Sequence, residues 1–320
     1  MIEVKKSNFL FDDKVNTYLK NIIKNKLFVN GYIFYGSEGV GKKRTAFQFI
    51  KEIFKQSSPS ENIEDKIMNN NHPDFLIIEP NSLLENKRSK NSDLKKTTKS
   101  GSEIIKIAQI RNIKTFLGQK SINSDKKIVL IIDAHLLNEA ASNCLLKTLE
   151  EPNNGIFILL TSKLNLLLDT IISRCQIVRF RSFSGKEINS ILKDYLNPSK
   201  FNINSTLKIQ DLINFANGSP GQLFENIEIW NELSDEITSK LDSPIKDSLE
   251  ILEVSQSISE QLEIYQQICL VNFIEIIWWR KTKNIDLVKK LENLKFLLRK
   301  NIQPRLAWEI TFLKIAMEDI

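Results

Sequence analysis

The stretch GYIFYGSEGVGKKRTAFQFIKEIF, residues 31–54, commits the chain to one supersecondary unit. A short run of β-branched and aromatic side chains ends at Tyr35. Glycines stand at 36, 39 and 41, and an apolar three-to-four periodicity begins just beyond Lys42. A strand delivered into a helix in this way is normally followed by a second, parallel strand, because the helix carries the chain back across the sheet. The G-x-x-x-x-G-K spacing of Gly36, Gly41 and Lys42, set between strand and helix, marks a phosphate-binding loop. In such loops the backbone N–H groups near Gly39 and Gly41 and the helix N-terminus cradle phosphate oxygens, and Lys42 reaches an outer one.

The rhythm continues as far as Phe183. GYIFYG, DFLIIE, KIVLIID, GIFILLTS and QIVRF are brief, rich in Ile, Val, Leu or Phe, and bounded by turn-forming or charged residues, as strands buried on both faces are. Between them RTAFQFIKEIF and NEAASNCLLKTLEE repeat apolar residues at helical spacing. This alternation predicts an α/β domain with a parallel sheet over residues 1–183. Residues 81–102, NSLLENKRSKNSDLKKTTKSGS, break the rhythm with little to bury and read as a flexible surface insertion. After Phe183 the strand signals fade. Residues 184–228 read as a small helical domain, with helices over 186–196 and 207–217 and Gly218 as a stop. Residues 229–320 read as all-helical, with a last helix after Pro304. Trp278 and Trp279 sit with Phe273, Ile276 and Ile277 on a face too wide for a helix wetted on one side, so that helix is buried or packs on partners.

Two residues weaken the chemistry of the loop. Working phosphate loops place Ser or Thr after the lysine to ligate magnesium; here Lys43 follows, and an ammonium has only donors. The strand KIVLIID ends at Asp133, the place of the metal-side carboxylate. Active enzymes follow it with a Glu that prepares the attacking water, and here Ala134 and then His135 follow. Losing a positioned base costs about 10²- to 10⁴-fold in rate. His135, one place further round a turning loop, is expected to point elsewhere. Weak ATP or ADP binding remains open, and intrinsic hydrolysis is not expected.

Composition narrows the compartment and excludes several chemistries. No run of roughly 18 apolar residues spans a bilayer, and MIEVKKSNFLFDD has charges where a signal peptide needs apolar length, so a cytoplasmic protein without a membrane partner is expected. Cys144, Cys175 and Cys269 form no CxxC pair and predict neither zinc nor disulfides. His72 and His135 have no clustered partners and read as structural. A net charge of +6 is compatible with nucleic acid and decides nothing alone.

The string DAHLLNEAASNCLLKTLEEPNNGIFILLTSKLNLLLDTIISRCQIVRF, Asp133 to Phe180, resembles the clamp-loader branch of the AAA+ ATPases. With HPDF at His72–Phe75 and GSPG at Gly218–Gly221, it is similar to the delta-prime family of bacterial DNA polymerase III; LLKTLEEP followed by SRC is the specific part. The resemblance implies an ATPase-like α/β domain, a helical lid over 184–228 and a C-terminal helical collar over 229–320 that assembles a pentamer. It implies gamma/tau and delta subunits as partners, the sliding clamp through the complex, and primer–template DNA, all within the DNA polymerase III holoenzyme. Delta-prime proteins resemble the ATPase subunits in fold while lacking competent ATP chemistry.

In that family the SRC arginine reaches ATP bound to the neighbouring subunit, which assigns Ser173, Arg174 and Cys175, with Arg174 as the finger. Such fingers are worth about 10³- to 10⁵-fold in some phosphoryl-transfer systems. Departures are also present. Residues 56–71 hold no cysteine where many delta-prime proteins carry a zinc module, so no zinc is expected. Gly221 stands where active relatives carry a lid arginine. Thr161 or Ser162 is placed to be the polar residue near a phosphate or to cap the next segment. Asn138 reads as the N-cap of a helix running to about Glu150 with Ala141, Cys144, Leu145 and Leu149 on one face, ended by Pro152. Lys147 on that helix either faces DNA or is solvated. The leading expectation is a non-hydrolysing assembly subunit that completes a neighbour's ATP site. The rivals are an active gamma/tau-like ATPase and a DNA-binding module built on the 81–102 insertion.

Overall fold

The computed structural model describes residues 13–57, 63–80, 104–152, 154–195, 213–300 and 302–318. The insertion at 81–102 and most of the helix expected over 207–217 lie outside the described residues. The chain divides into two compact units, residues 1–182 and 183–320.

In the first unit all five expected strands form: β1 (Gly31–Tyr35), β2 (Phe75–Ile78), β3 (Lys127–Ile131), β4 (Gly155–Thr161) and β5 (Gln176–Arg179). They make one parallel sheet in the order β2-β3-β4-β1-β5, with Ile33 opposite Leu159 and Ile177. Around it lie α1 (Asp13–Asn25), α2 (Lys42–Ser57), α3 (Ile63–Met68), α4 (Ile107–Gly118), α5 (Glu139–Glu150) and α6 (Asp169–Ile172).

The continuous apolar strands β1, β3 and β4 follow from burial on both faces, whereas β5 at the sheet edge, expected to be buried likewise, leaves Gln176, Ile177 and Arg179 exposed. Tyr32, Phe34, Ile128, Leu130 and Ile158 pack with α1, α2 and α3, while Ile33, Val129, Ile131, Phe157 and Leu159 pack with α4 and α5. Successive residues of one strand thus feed opposite cores. Each large side chain so buried contributes about 1.5–3 kcal/mol. The loops after β1, β3 and β4 converge at the carboxyl edge of the sheet, where open α/β sheets bind ligands.

The HPDF motif is a structural clasp. His72 stacks on Phe54 with ring centroids 4.1 Å apart, and its Nδ1 accepts the Asp74 N–H. The fully buried Asp74 carboxylate accepts backbone N–H groups of Ile122, Asn123 and Ser124 at 2.9, 2.7 and 3.0 Å, pinning the loop that enters β3.

The second unit is helical: α7 (Gly185–Tyr195), α8 (Pro220–Glu232), α9 (Asp235–Lys240), α10 (Ser248–Gln261), α11 (Ile264–Thr282), α12 (Ile285–Arg299) and α13 (Pro304–Glu318). GSPG is a helix start. Gly218 takes a positive φ of 77°, the Ser219 hydroxyl accepts the Gln222 N–H, and Pro220 occupies the first helical turn, where no N–H is missed. That helix, α8, runs without a break through residue 228.

Trp278 is fully buried on α11 with its indole N–H on the Leu241 carbonyl, and Trp308 donates to Gln267 Oε1. Trp279 is 37% exposed, under the Lys283 ammonium. Between α11 and α12 the buried Lys295 donates to Asn272, Glu275 and Glu292.

Candidate functional site: a phosphate loop and a distant arginine

The loop after β1 is built as its sequence predicts. Gly39 and Gly41 adopt φ of 71° and 99°, open to glycine and strained for other residues. Gly36 is needed for a different reason: a Cβ there would lie 2.5 Å from the Phe180 carbonyl oxygen, so only a bare backbone passes. Val40, 1% exposed, anchors the loop into the core. Helix α2 then starts at Lys42 and the Thr45 N–H bonds to the Gly41 carbonyl.

The loop's cations are already engaged. Lys42 Nζ donates to the carbonyls of Gly36 and Ser37, both at 2.6 Å. Burial holds its pKa below the ordinary lysine range, against the pull of Glu38 and Asp133. Lys43 does not extend toward a phosphate; its ammonium sits 3.2 Å from the Glu79 carboxylate, 3% exposed just beyond β2. At the position where a magnesium-ligating hydroxyl is required there is therefore a donor-only group bound to a carboxylate. This donor set does not fit a magnesium-bound nucleotide. Among the described residues no group of three His, Cys, Asp or Glu side chains is arranged to hold a metal.

Around the loop the chain reverses direction after β3. Asp133 takes a left-handed conformation, φ 51° and ψ 50°, and a 3₁₀ turn over Ala134–Leu136 follows. That reversal brings His135 beside the end of β4. Its Nδ1 lies 3.4 Å from the hydroxyl of the fully buried Thr161 at the end of β4. The Lys163 N–H donates to the same hydroxyl. Burial keeps the His135 imidazole below its ordinary pKa, which favours the neutral ring. Glu38, which the sequence did not single out, accepts from Ser162 at 3.3 Å and ties the loop to the end of β4.

The SRC segment lies elsewhere. Residues 173–175 close α6 and lead into β5, whose Gln176 pairs with Tyr32 near the start of β1. Arg174 therefore sits at the amino edge of the parallel sheet and the phosphate loop at its carboxyl edge. β1 alone separates these edges by about 13 Å, at roughly 3.3 Å per residue. The Arg174 guanidinium donates from Nη1 to the Thr170 carbonyl at 2.9 Å and from Nη2 to Glu150 Oε1 at 2.6 Å, and the side chain is 38% exposed.

Its neighbours in the motif are structural. Ser173 Oγ donates to the Thr170 carbonyl, and Cys175 packs on Gly31, where a Cβ would meet its sulfur at 2.6 Å. Burial pushes the Cys175 thiol up to about 11, which leaves it unreactive. Asn138 caps α5 as expected, its side chain accepting the Ala141 N–H, and Lys147 on that helix is exposed.

A five-stranded parallel sheet of this order, with a phosphate loop after β1 and an acidic residue after β3, defines the AAA+ type of P-loop domain. Residues 11–184 match the family described as DNA polymerase III, delta subunit, and residues 186–315 match the cyanobacterial DNA polymerase III delta prime, C-terminal domain. The chain belongs to the DNA polymerase III delta subunit family, and the resemblance to delta-prime read from the sequence is borne out.

Among individual proteins the chain is similar to the DNA polymerase III subunit delta' of Bacillus subtilis, 31% identical over 185 residues, 56% of this chain and 50% of the relative. It is also similar to the delta' subunit of Pseudomonas aeruginosa, 29% identical over 153 residues, 46% of this chain and 41% of the relative. The chain thus spans about half or less of the length of these relatives. A DNA polymerase III gamma subunit-related protein from Thermotoga maritima superposes with a TM-score of 0.52 at 19% identity, over 96% of this chain and 99% of that one, a likeness of fold.

Proposed function

We propose that this chain is a non-hydrolysing, delta-prime-like subunit of a DNA polymerase III clamp loader. It assembles with gamma/tau and delta subunits in the cytoplasm and presents Arg174 to ATP held by a neighbour, while the complex loads the sliding clamp on primer–template DNA. Residues 184–228 serve as lid and 229–320 as collar, and no zinc or other cofactor is required. Lys147 on the exposed face of α5 contributes a backbone contact to DNA, of the salt-dependent and sequence-independent kind.

The observation that carries this reading is the position of Arg174. An exposed guanidinium at the amino edge of the sheet is too far to serve the loop at the carboxyl edge of its own sheet, so a phosphate it meets belongs to another subunit. The engagement of Lys42 by carbonyls and of Lys43 by Glu79 supports the same reading, because neither cation is held ready for a metal-bound triphosphate.

The test is reconstitution of the loader with Arg174→Ala. Assembly by size exclusion stays intact and DNA-stimulated ATP turnover falls by about 10³-fold or more if the finger is as strong as those characterised. Unchanged turnover in a verified assembly removes the role. The competing reading, an active gamma/tau-like ATPase, draws on His135, which lies beside Thr161 and within electrostatic reach of Asp133. Magnesium-dependent turnover by the purified chain alone, abolished by Lys42→Ala, favours it.

A further inference from the structure

The LEEP end of α5 is acidic. Glu150 closes that helix and Glu151 follows it, so two carboxylates stand at the end where the helix dipole is already negative. The last turn carries one cation, Lys147, and a second comes from 24 residues away: Arg174 Nη2 donates to Glu150 Oε1 at 2.6 Å. Nη1 at the same time satisfies the Thr170 carbonyl, on the short helix α6. The guanidinium is thereby held from two sides, by a backbone carbonyl and by the Glu150 carboxylate. The two bonds use one hydrogen from each Nη, and the other donors of the fork have no partner among the described residues.

We infer that Glu150 is a positioning residue for Arg174, holding the guanidinium at the angle from which its remaining donors meet the phosphate of a neighbouring subunit. This rests on the role proposed for Arg174. A free arginine side chain distributes itself over many rotamers, and an exposed finger left so is seldom aimed. The pair restricts that distribution before the neighbour arrives, and Glu150 itself touches neither nucleotide nor phosphate.

The experiment uses the reconstituted loader with ATP and primer–template DNA, and compares Glu150→Ala, Glu150→Gln, Arg174→Ala and the Glu150→Ala/Arg174→Ala double variant. Glu150→Ala is expected to lower kcat about three- to five-fold, the scale of a half-exposed ion pair, with KM for ATP unchanged. Glu150→Gln, which keeps an acceptor, recovers most of that loss. The double variant turns over no more slowly than Arg174→Ala alone, because an aiming residue has nothing left to aim.

Wild-type kcat or a raised kcat in Glu150→Ala, beside a slow Arg174→Ala, overturns the positioning role and leaves the finger standing. Losses that multiply in the double variant also overturn it, since they describe a structural effect independent of Arg174. If Arg174→Ala is itself without effect, the finger reading fails and this one with it. Melting temperatures and assembly profiles of each variant separate these outcomes from loss of fold.

Discussion

Lys43 and Glu79 form an ion pair at 3.2 Å between the first turn of α2 and the residue after β2, with the carboxylate buried and the lysine half exposed. The residue that removes the metal-binding hydroxyl is thus also a tie between loop and sheet. Lys43→Ser, which restores the hydroxyl, removes this ion pair and is expected to cost about 1 kcal/mol, the value of a pair partly screened by solvent. It does not confer ATP turnover on the isolated chain, because Ala134 still stands where the water-preparing residue belongs. Thermal melting and a phosphate-release assay on one preparation check both halves.

Asp74→Ala is expected to be the more damaging change, though it lies far from any candidate chemistry. Its carboxylate takes three backbone N–H groups in a fully buried setting, and removing it leaves those donors unpaired. The cost is about 3 kcal/mol, a fall of roughly 6–12 °C for a unit of this size. Asp74→Asn, which keeps an acceptor and loses the charge, falls between. Calorimetry on the two variants gives the order.

The sheet was legible because its strands are short apolar runs bounded by turn residues, fully buried in β3 and β4, though the edge strand β5 leaves Gln176, Ile177 and Arg179 exposed. The loop was legible from Gly36, Gly41 and Lys42, since the backbone there tolerates few alternatives. What the sequence hid were pairings between distant residues. Nothing near Lys43 announces Glu79, and nothing near Arg174 announces Glu150. The contact of His135 with Thr161 was hidden too, because the left-handed turn at Asp133 carries no signal of its own: aspartate enters that region without the glycine that would have marked it. The HPDF motif was visible as a resemblance, but its work as a clasp depends on the loop at 122–124, which only the fold brings to it.

Acid should weaken the first unit through its two histidines. Burial holds both His72 and His135 below the ordinary value of 6.5, so each takes up a proton more readily in the unfolded chain. The stability tied to the neutral rings is complete above 6.5. It drains as pH falls from there through the depressed native values, because the unfolded state then binds more protons. Urea unfolding at pH 7.5 and 5.5 is expected to show wild type losing stability, and His72→Gln/His135→Gln losing less over the same interval. An equal loss in both would place the acid sensitivity on carboxylates instead.

The second unit has its own buried charge, and it makes a sharper test of sign. Lys295, 7% exposed, bonds to Asn272 at 3.0 Å, Glu275 at 2.9 Å and Glu292 at 2.6 Å. Glu275 Oε1 is buried without a hydrogen-bond partner, and burial holds that carboxyl above its ordinary range even with the ammonium pulling it down. Lys295→Met removes the pull and leaves a desolvated carboxylate, which is expected to cost about 3–5 kcal/mol at pH 7.5. Because the native carboxyl then binds its proton still more tightly than the unfolded one, lowering the pH toward 5 restores part of the loss in this variant. Lys295→Met/Glu275→Leu, which replaces charge with apolar volume on both sides, returns close to wild-type stability, since a buried pair exchanged for packed hydrophobes is often neutral. Urea titrations of the three proteins at both pH values decide it: a double variant as weak as Lys295→Met would mean that the lysine stem, not the charge, holds α11 against α12.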